Sequence, residues 1–154
     1  MGILVKQKVL GQTADKANWL IGEGLFAPGI NGVALRSMKG PGTAYDDPVI
    51  GGKDPQPGYM KDFVKTSRDN GGVHINSGIP NHAFYFAAME IGGNAWEKAG
   101  IIWYIALRDK IRPKSKFKDA AKVTVQVAGD LFKARSDEQK AVKKAWAEVG
   151  INVK

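Results

Sequence analysis

The chain has 154 residues, 44% of them hydrophobic and 25% charged, no cysteine, and a formal charge of +8. That length supports a single folded domain with a sizeable core. The lack of cysteine excludes disulfides and thiolate metal sites, and no stretch approaches the roughly eighteen consecutive apolar residues of a membrane span. The positive charge raises nucleic-acid binding as a rival function. Yet the lysines from Lys110 onward fall mostly at the polar positions of amphipathic helical patterns, and no helix-turn-helix, RNP-like or zinc-finger signature accompanies them. A solvated helical face is the better reading.

Near the start, Lys6 and Lys8 interrupt the only short apolar run, so no leader peptide is expected there. From about residue 11 to residue 75 glycine and proline are dense (Pro28, Gly29, Pro41, Gly42, Pro55 and Pro57 among them), which predicts long loops. Loops of that length in a compact domain usually carry function. From Asn76 onward the apolar spacing turns helical. Asn76 or Ser77 can cap a first helix with Pro80 in its first turn, burying some of Ala83, Phe84, Phe86, Ala87 and Ile91 until Gly92-Gly93 ends it. A second helix runs from about Asn94 to Arg108, with Ala99, Ile102, Ile105 and Ala106 on or near its buried face. After Pro113 and Ser115, Phe117, Ala121, Val127, Ala128 and Leu131 form a third stripe. Ser136-Asp137-Glu138-Gln139 reads as a capping box for a fourth helix carrying Val142, Ala145, Trp146 and Val149. The fold class is therefore mainly α, with residues 1–154 as one domain, loop-rich over 11–75 and helical over 76–150. Trp96, Trp103, Tyr104 and Trp146 are expected in the core. His82 lies inside the first helix and is read as a non-site histidine.

The segment Asp69-Asn70-Gly71-Gly72-Val73-His74-Ile75-Asn76-Ser77-Gly78-Ile79 places an acid and a double glycine ahead of a histidine. Adjacent glycines open backbone angles closed to other residues, so the chain can bend and bring Asp69 back to the His74 imidazole. A carboxylate there would fix the ring tautomer and let the ring donate to a developing negative charge.

This segment closely resembles the active-site histidine motif of the thermolysin family of zinc metalloendopeptidases. Asn18-Trp19-Leu20-Ile21-Gly22-Glu23, Ala27-Pro28-Gly29-Ile30 and Leu35-Arg36-Ser37-Met38 resemble the family's substrate-binding segment. Ala99–Leu107 and Ala145–Ile151 are similar to its last helices. The resemblance implies the C-terminal helical domain of that family, an orthogonal helix bundle preceded by Gly/Pro-rich loops. It also implies that His74 stabilises the tetrahedral oxyanion, that Asp69 orients His74, and that Arg36 donates its rigid guanidinium fork to a substrate carbonyl. Ile21, Gly22, Leu25 and Leu35 would line an apolar slot for the side chain that follows the scissile bond. On the residues alone a structural salt bridge is the better reading of Arg36, which the matched neighbours reverse in favour of a site role, and the apolar four could simply be core.

Such enzymes hold zinc with His-Glu-x-x-His and a later glutamate, because histidines at i and i+4 share one helical face. This chain has only His74 and His82 and no His-Glu pair. The resemblance thus implies zinc in the parent enzyme, held by a preceding N-terminal half, and no metal bound by this chain. Calcium sites are expected to be absent as well, because Lys6, Asn18, Leu20, Gly24 and Val33 stand where acidic ligands would be and only Glu23 remains. The implied partners are a peptide or protein substrate and the N-terminal half, without which no peptidase activity is expected. An exposed patch of Ile21, Leu25, Leu35 and the Ile3-Leu4-Val5 stub beside His74 is expected to drive either self-association or tight binding to a separately supplied N-terminal half. Family resemblance implies secretion.

Overall fold

The chain opens on a helix, α1 (Gly2–Val9), that its interrupted apolar run does not announce. The computed structural model describes residues 2–154. After α1 come β1 (Leu20–Ile21), β2 (Arg36–Ser37), β3 (Asp46–Asp47) and β4 (Gly52–Lys53), then α2 (Asp69–Asn76), α3 (Gly78–Ile91), α4 (Lys98–Ile105), α5 (Phe117–Phe132) and α6 (Asp137–Glu148). Two compact units result: Met1–Ala17 together with Ala83–Lys154, and Asn18–His82.

The first unit is helical. Ile3, Leu4 and Gln7 define the inner face of α1, while Val5 is exposed. The expected exposed stub is therefore corrected: only its last residue faces water, because i, i+1 and i+4 share one side of a helix. Small residues dominate the interior, with Ala83, Ala87, Ala88, Ala99, Ala106, Ala121, Ala128 and Ala145 all buried, which lets helix axes approach closely. Aromatic rings fill the remaining space. Phe84 meets Trp103 edge-on at 5.1 Å between centroids, and Trp103 stacks on Trp146 at 6.3 Å. The buried Trp146 indole donates to Thr124 Oγ1 at 2.8 Å, and that hydroxyl turns back to the carbonyls of Ala120 and Ala121. A polar handle inside an apolar core is satisfied without water.

Helix ends follow their capping chemistry with one change. Ser136 Oγ accepts from the Gln139 amide at 3.2 Å, but Gln139 Oε1 accepts from the Arg135 amide, one residue before the cap, and its Nε2 reaches the Val125 carbonyl. Gln139 therefore ties α6 to α5, where a Cβ on Gly129 would lie 2.3 Å from that Nε2. Trp96 and Trp103 are half-buried, and two residues expected on the core side are exposed. Tyr104 is 46% exposed, with the Arg108 guanidinium 5.2 Å from its ring centre, and Leu131 near the end of α5 is 42% exposed. An aromatic ring half in water is stabilised by a stacked guanidinium rather than by packing.

The second unit is built mostly from loops. β1 pairs with β2 and β3 with β4, each antiparallel and two residues long. So little sheet leaves many backbone amides to be satisfied otherwise. Two buried aspartates take up that role: Asp47 accepts from the amides of Asn31 and Val49, and Asp54 from those of Gly42, Ala44 and Gln56. Each stands before a proline, where the side chain is free to fold onto a following turn. Trp19, Ala34, Met38, Ala44 and Ile79 make the apolar interior beneath them.

Candidate functional site

Four consecutive residues, Asp69, Asn70, Gly71 and Gly72, adopt positive φ of 53°, 49°, 84° and 76°. Glycine takes such angles at no steric cost, and Asp and Asn tolerate them better than other residues. At Gly72 space forbids a side chain as well, since a Cβ would lie 2.9 Å from Asn76 Nδ2. This left-handed turn swings the Asp69 carboxylate over the first right-handed turn that follows. Its Oδ2 accepts the His74 amide at 2.8 Å, and its Oδ1 meets His74 Nδ1. The ring hydrogen bond, joined by the His74 amide, holds the Asp69 carboxyl below the ordinary aspartate range. The His74 side chain is 80% exposed, so hydrogen bonds rather than packing orient the ring, and Nε2 is its free edge.

Asn76 and Ser77, expected to cap the following helix, instead brace this turn. Asn76 Oδ1 accepts from the Val64 amide and its Nδ2 donates to the Val64 carbonyl, both at 2.9 Å. Ser77 Oγ donates to the His74 carbonyl at 2.8 Å, while Gln56 Nε2 donates to that same carbonyl and to Ser77 Oγ, each at 2.8 Å.

The β1·β2 pair assembles most of the other candidates. Ile21 stands opposite Arg36 in the register, and Gly22 approaches Leu35 so closely that a Cβ there would lie 2.8 Å from its side chain. Ile21 and Leu35 are partly exposed at 37% and 40%. Leu25, at 69% exposure, is held by no comparable contact. The Arg36 guanidinium bonds the Leu35 carbonyl at 2.7 Å and forms no ion pair among the described residues. Arg36 and Ile21 thus lie side by side, and no hydrogen bond joins Arg36 to the Asp69–His74 pair.

The profile of the thermolysin metallopeptidase alpha-helical domain matches residues 1–151. This chain belongs to the thermolysin metallopeptidase family. It is 56% identical to protease PrtS of Photorhabdus sp. (strain Az29), across 99% of this chain and 41% of the relative, and 51% identical to an extracellular metalloprotease of Pectobacterium carotovorum, across 99% and 44%. The structure matches the precursor of protealysin, a metalloproteinase from Serratia proteamaculans, with a TM-score of 0.92 and 60% identity over 97% of this chain and 46% of that one. The chain therefore spans under half the length of the relatives it matches. No helix among the described residues is long and apolar enough to cross a membrane.

For a thermolysin-family domain, metal chemistry needs a converging donor set. Among the described residues no group of three His, Cys, Asp or Glu side chains could hold an ion. His74 keeps Nε2 open, but no second and third donor converge on it among the described residues, so those residues do not fit zinc. Glu23, the acid left in the calcium-like segment, accepts both bonds of the Asn18 amide at 2.9 and 3.0 Å.

His82 is buried, with Nδ1 donating to the Gly58 carbonyl at 3.2 Å and the ring edge-on to Tyr59 at 5.2 Å. Burial pushes its imidazole below the ordinary value, against the opposing pull of the Gly58 and Lys39 backbone. A depressed folded-state value means stability that is complete above the unfolded histidine value of about 6.5 and is lost as the pH falls below it. Asp69 is also depressed, but its contribution disappears only below the ordinary aspartate range of about 3.9. Thermal unfolding followed from pH 7.5 to pH 5 is expected to show a falling midpoint. His82→Asn, which keeps a donor toward Gly58, is expected to flatten that slope.

Asp54 and Gln56 were not visible as part of this site from sequence. The available signal was the repeated Asp-Pro dipeptide at Asp47-Pro48 and Asp54-Pro55, which marks acids that organise turns.

Proposed function

We propose that this chain is the C-terminal part of a secreted zinc metalloendopeptidase and contributes oxyanion stabilisation and substrate contacts to peptide-bond hydrolysis. The observation that carries the reading is the Asp69 carboxylate bound to both the amide and the ring Nδ1 of an exposed histidine. A ring anchored in that way presents Nε2 to whatever lies in front of it, and an imidazolium donates from both nitrogens. A donor fixed before the reaction, aimed where negative charge develops, lowers the barrier without reorganisation. Asp69 sets the tautomer, His74 donates to the oxyanion, and Arg36, whose guanidinium bonds the Leu35 carbonyl but forms no ion pair among the described residues, offers its remaining donors to a substrate carbonyl. Beside Arg36, Ile21, Gly22 and Leu35, with Leu25 nearby in sequence, offer apolar surface to a bulky substrate side chain. Zinc would be carried by the rest of the parent protein, and relatives named as extracellular metalloproteases support the reading of secretion.

The test uses the purified chain, supplied with zinc, on casein. It is expected not to hydrolyse casein, because no three metal-binding side chains converge among its described residues. The full-length parent is expected to hydrolyse it in a chelator-sensitive manner. Chelator-sensitive cleavage by a contaminant-free sample of this chain alone would overturn the division of labour.

A further inference from the structure

Gln56 is 18 residues from His74 in sequence, buried, and bonded to it through the backbone. The His74 carbonyl is one of the acceptors that a helix end leaves without an intrahelical partner. Here it receives two side-chain donors, Gln56 Nε2 and Ser77 Oγ, each at 2.8 Å. The amide orientation of Gln56 is set by its neighbours, since Nε2 faces two acceptors, and turning the group over would press Oε1 against a carbonyl oxygen. Oε1 has no protein partner, so the side chain spends its bonding on one end. Gln56 is itself held. Its amide donates to Asp54 Oδ1 at 3.1 Å, and Asp54 Oδ2 takes the amides of Gly42 at 3.1 Å and Ala44 at 3.3 Å. A Cβ on Gly78 would lie 3.0 Å from the Gln56 Cβ, so the side chain also packs tightly against the start of α3.

Residue 74 is consequently fixed at three points: its amide and ring by Asp69, and its carbonyl by Gln56 with Ser77. We propose that Gln56 is a positioning residue for His74, transmitting the rigidity of the Asp54-centred loop to the imidazole. With little packing around the ring, a shift of the backbone at residue 74 moves Nε2 directly, and reactions are sensitive to misplacement of about an ångström. Gln56 touches no reacting atom in this scheme. This inference rests on the reading of His74 as an oxyanion donor, and the experiment separates the two.

In the full-length, zinc-loaded parent, Gln56→Met keeps the side-chain length and removes the donor. It is expected to lower kcat about tenfold with KM within twofold. In a His74→Ala background the same change is expected to have no further effect, because groups acting as one unit are not additive. Ser77→Ala serves as a second variant that leaves the Gln56–His74 bond in place and is expected to lower kcat by less than Gln56→Met. The His74 ring carbon–proton signals in the 154-residue chain give a readout independent of turnover: Gln56→Met is expected to shift and broaden them, while the Trp146 signals stay unchanged. If His74→Ala lowers kcat but Gln56→Met leaves kcat and the His74 signals unchanged, or if the two effects multiply, the role given to Gln56 is wrong. If His74→Ala itself leaves kcat unchanged, the reading beneath it fails first.

Discussion

Replacing His74 with alanine in the full-length parent is expected to lower kcat on the order of a hundredfold while KM changes little, the effect typical of losing one oxyanion donor. The ring is mostly exposed and touches the fold chiefly through Asp69, so its removal leaves no cavity and should barely alter thermal stability. Steady-state peptide hydrolysis alongside an unfolding curve separates these outcomes. A large loss of stability, or a rise in KM with kcat intact, would assign His74 to structure or to ground-state binding instead. Asp69→Asn makes a milder probe of the same geometry. An asparagine oxygen can still accept the His74 amide, but the carboxylate that sets the ring's donor nitrogen is gone.

The second large effect concerns the helical unit. Trp146→Ala is expected to cost about 3–5 kcal/mol, the range for truncating a fully buried aromatic side chain. Trp146 is 1% exposed, stacked on Trp103, and hydrogen-bonded to Thr124, so its loss removes packing between α5 and α6 and the indole donor to the Thr124 hydroxyl. Trp146→Phe should recover part of the packing but not the hydrogen bond, leaving roughly 1–3 kcal/mol of deficit. Denaturant midpoints read by far-ultraviolet circular dichroism give the comparison. Equal midpoints for the parent and the alanine form would show that the aromatic ladder does not hold this unit together.

The helices after residue 76 were legible because their apolar residues recur at the helical period and their ends carry Gly92-Gly93, the Ser136 cap and Gly150. Ala83, Ala87, Ile102, Val127, Val142 and Trp146 are buried as that period predicts. The Asp69–His74 contact was legible for a different reason: it closes over five residues, and two glycines between them advertise the turn. What escaped is long-range or polar. Helix α1 hides because a buried glutamine, Gln7, completes its inner face, and a polar residue there breaks the apolar pattern. Asp54 and Gln56 hide because hydrogen bonds across 10 to 21 residues leave no period in the sequence. Tyr104 misled because an aromatic at helical spacing looks like core whether a neighbouring helix or an arginine covers it. The pairing of Ile21 with Arg36 likewise depends on a two-residue strand register that no periodicity could indicate.

The central claim is that His74 binds a charge that exists only while the peptide bond is being broken. A peptide phosphonate carries a comparable negative oxygen on a tetrahedral centre, whereas the matching uncleaved peptide carries a neutral carbonyl, so their affinities isolate that charge. Equilibrium binding of both to the full-length parent and to its His74→Ala form tests the claim most directly. The account predicts that the substitution weakens the phosphonate about a hundredfold and the peptide by less than about twofold. Equal weakening of the two, or none of the phosphonate, would contradict it.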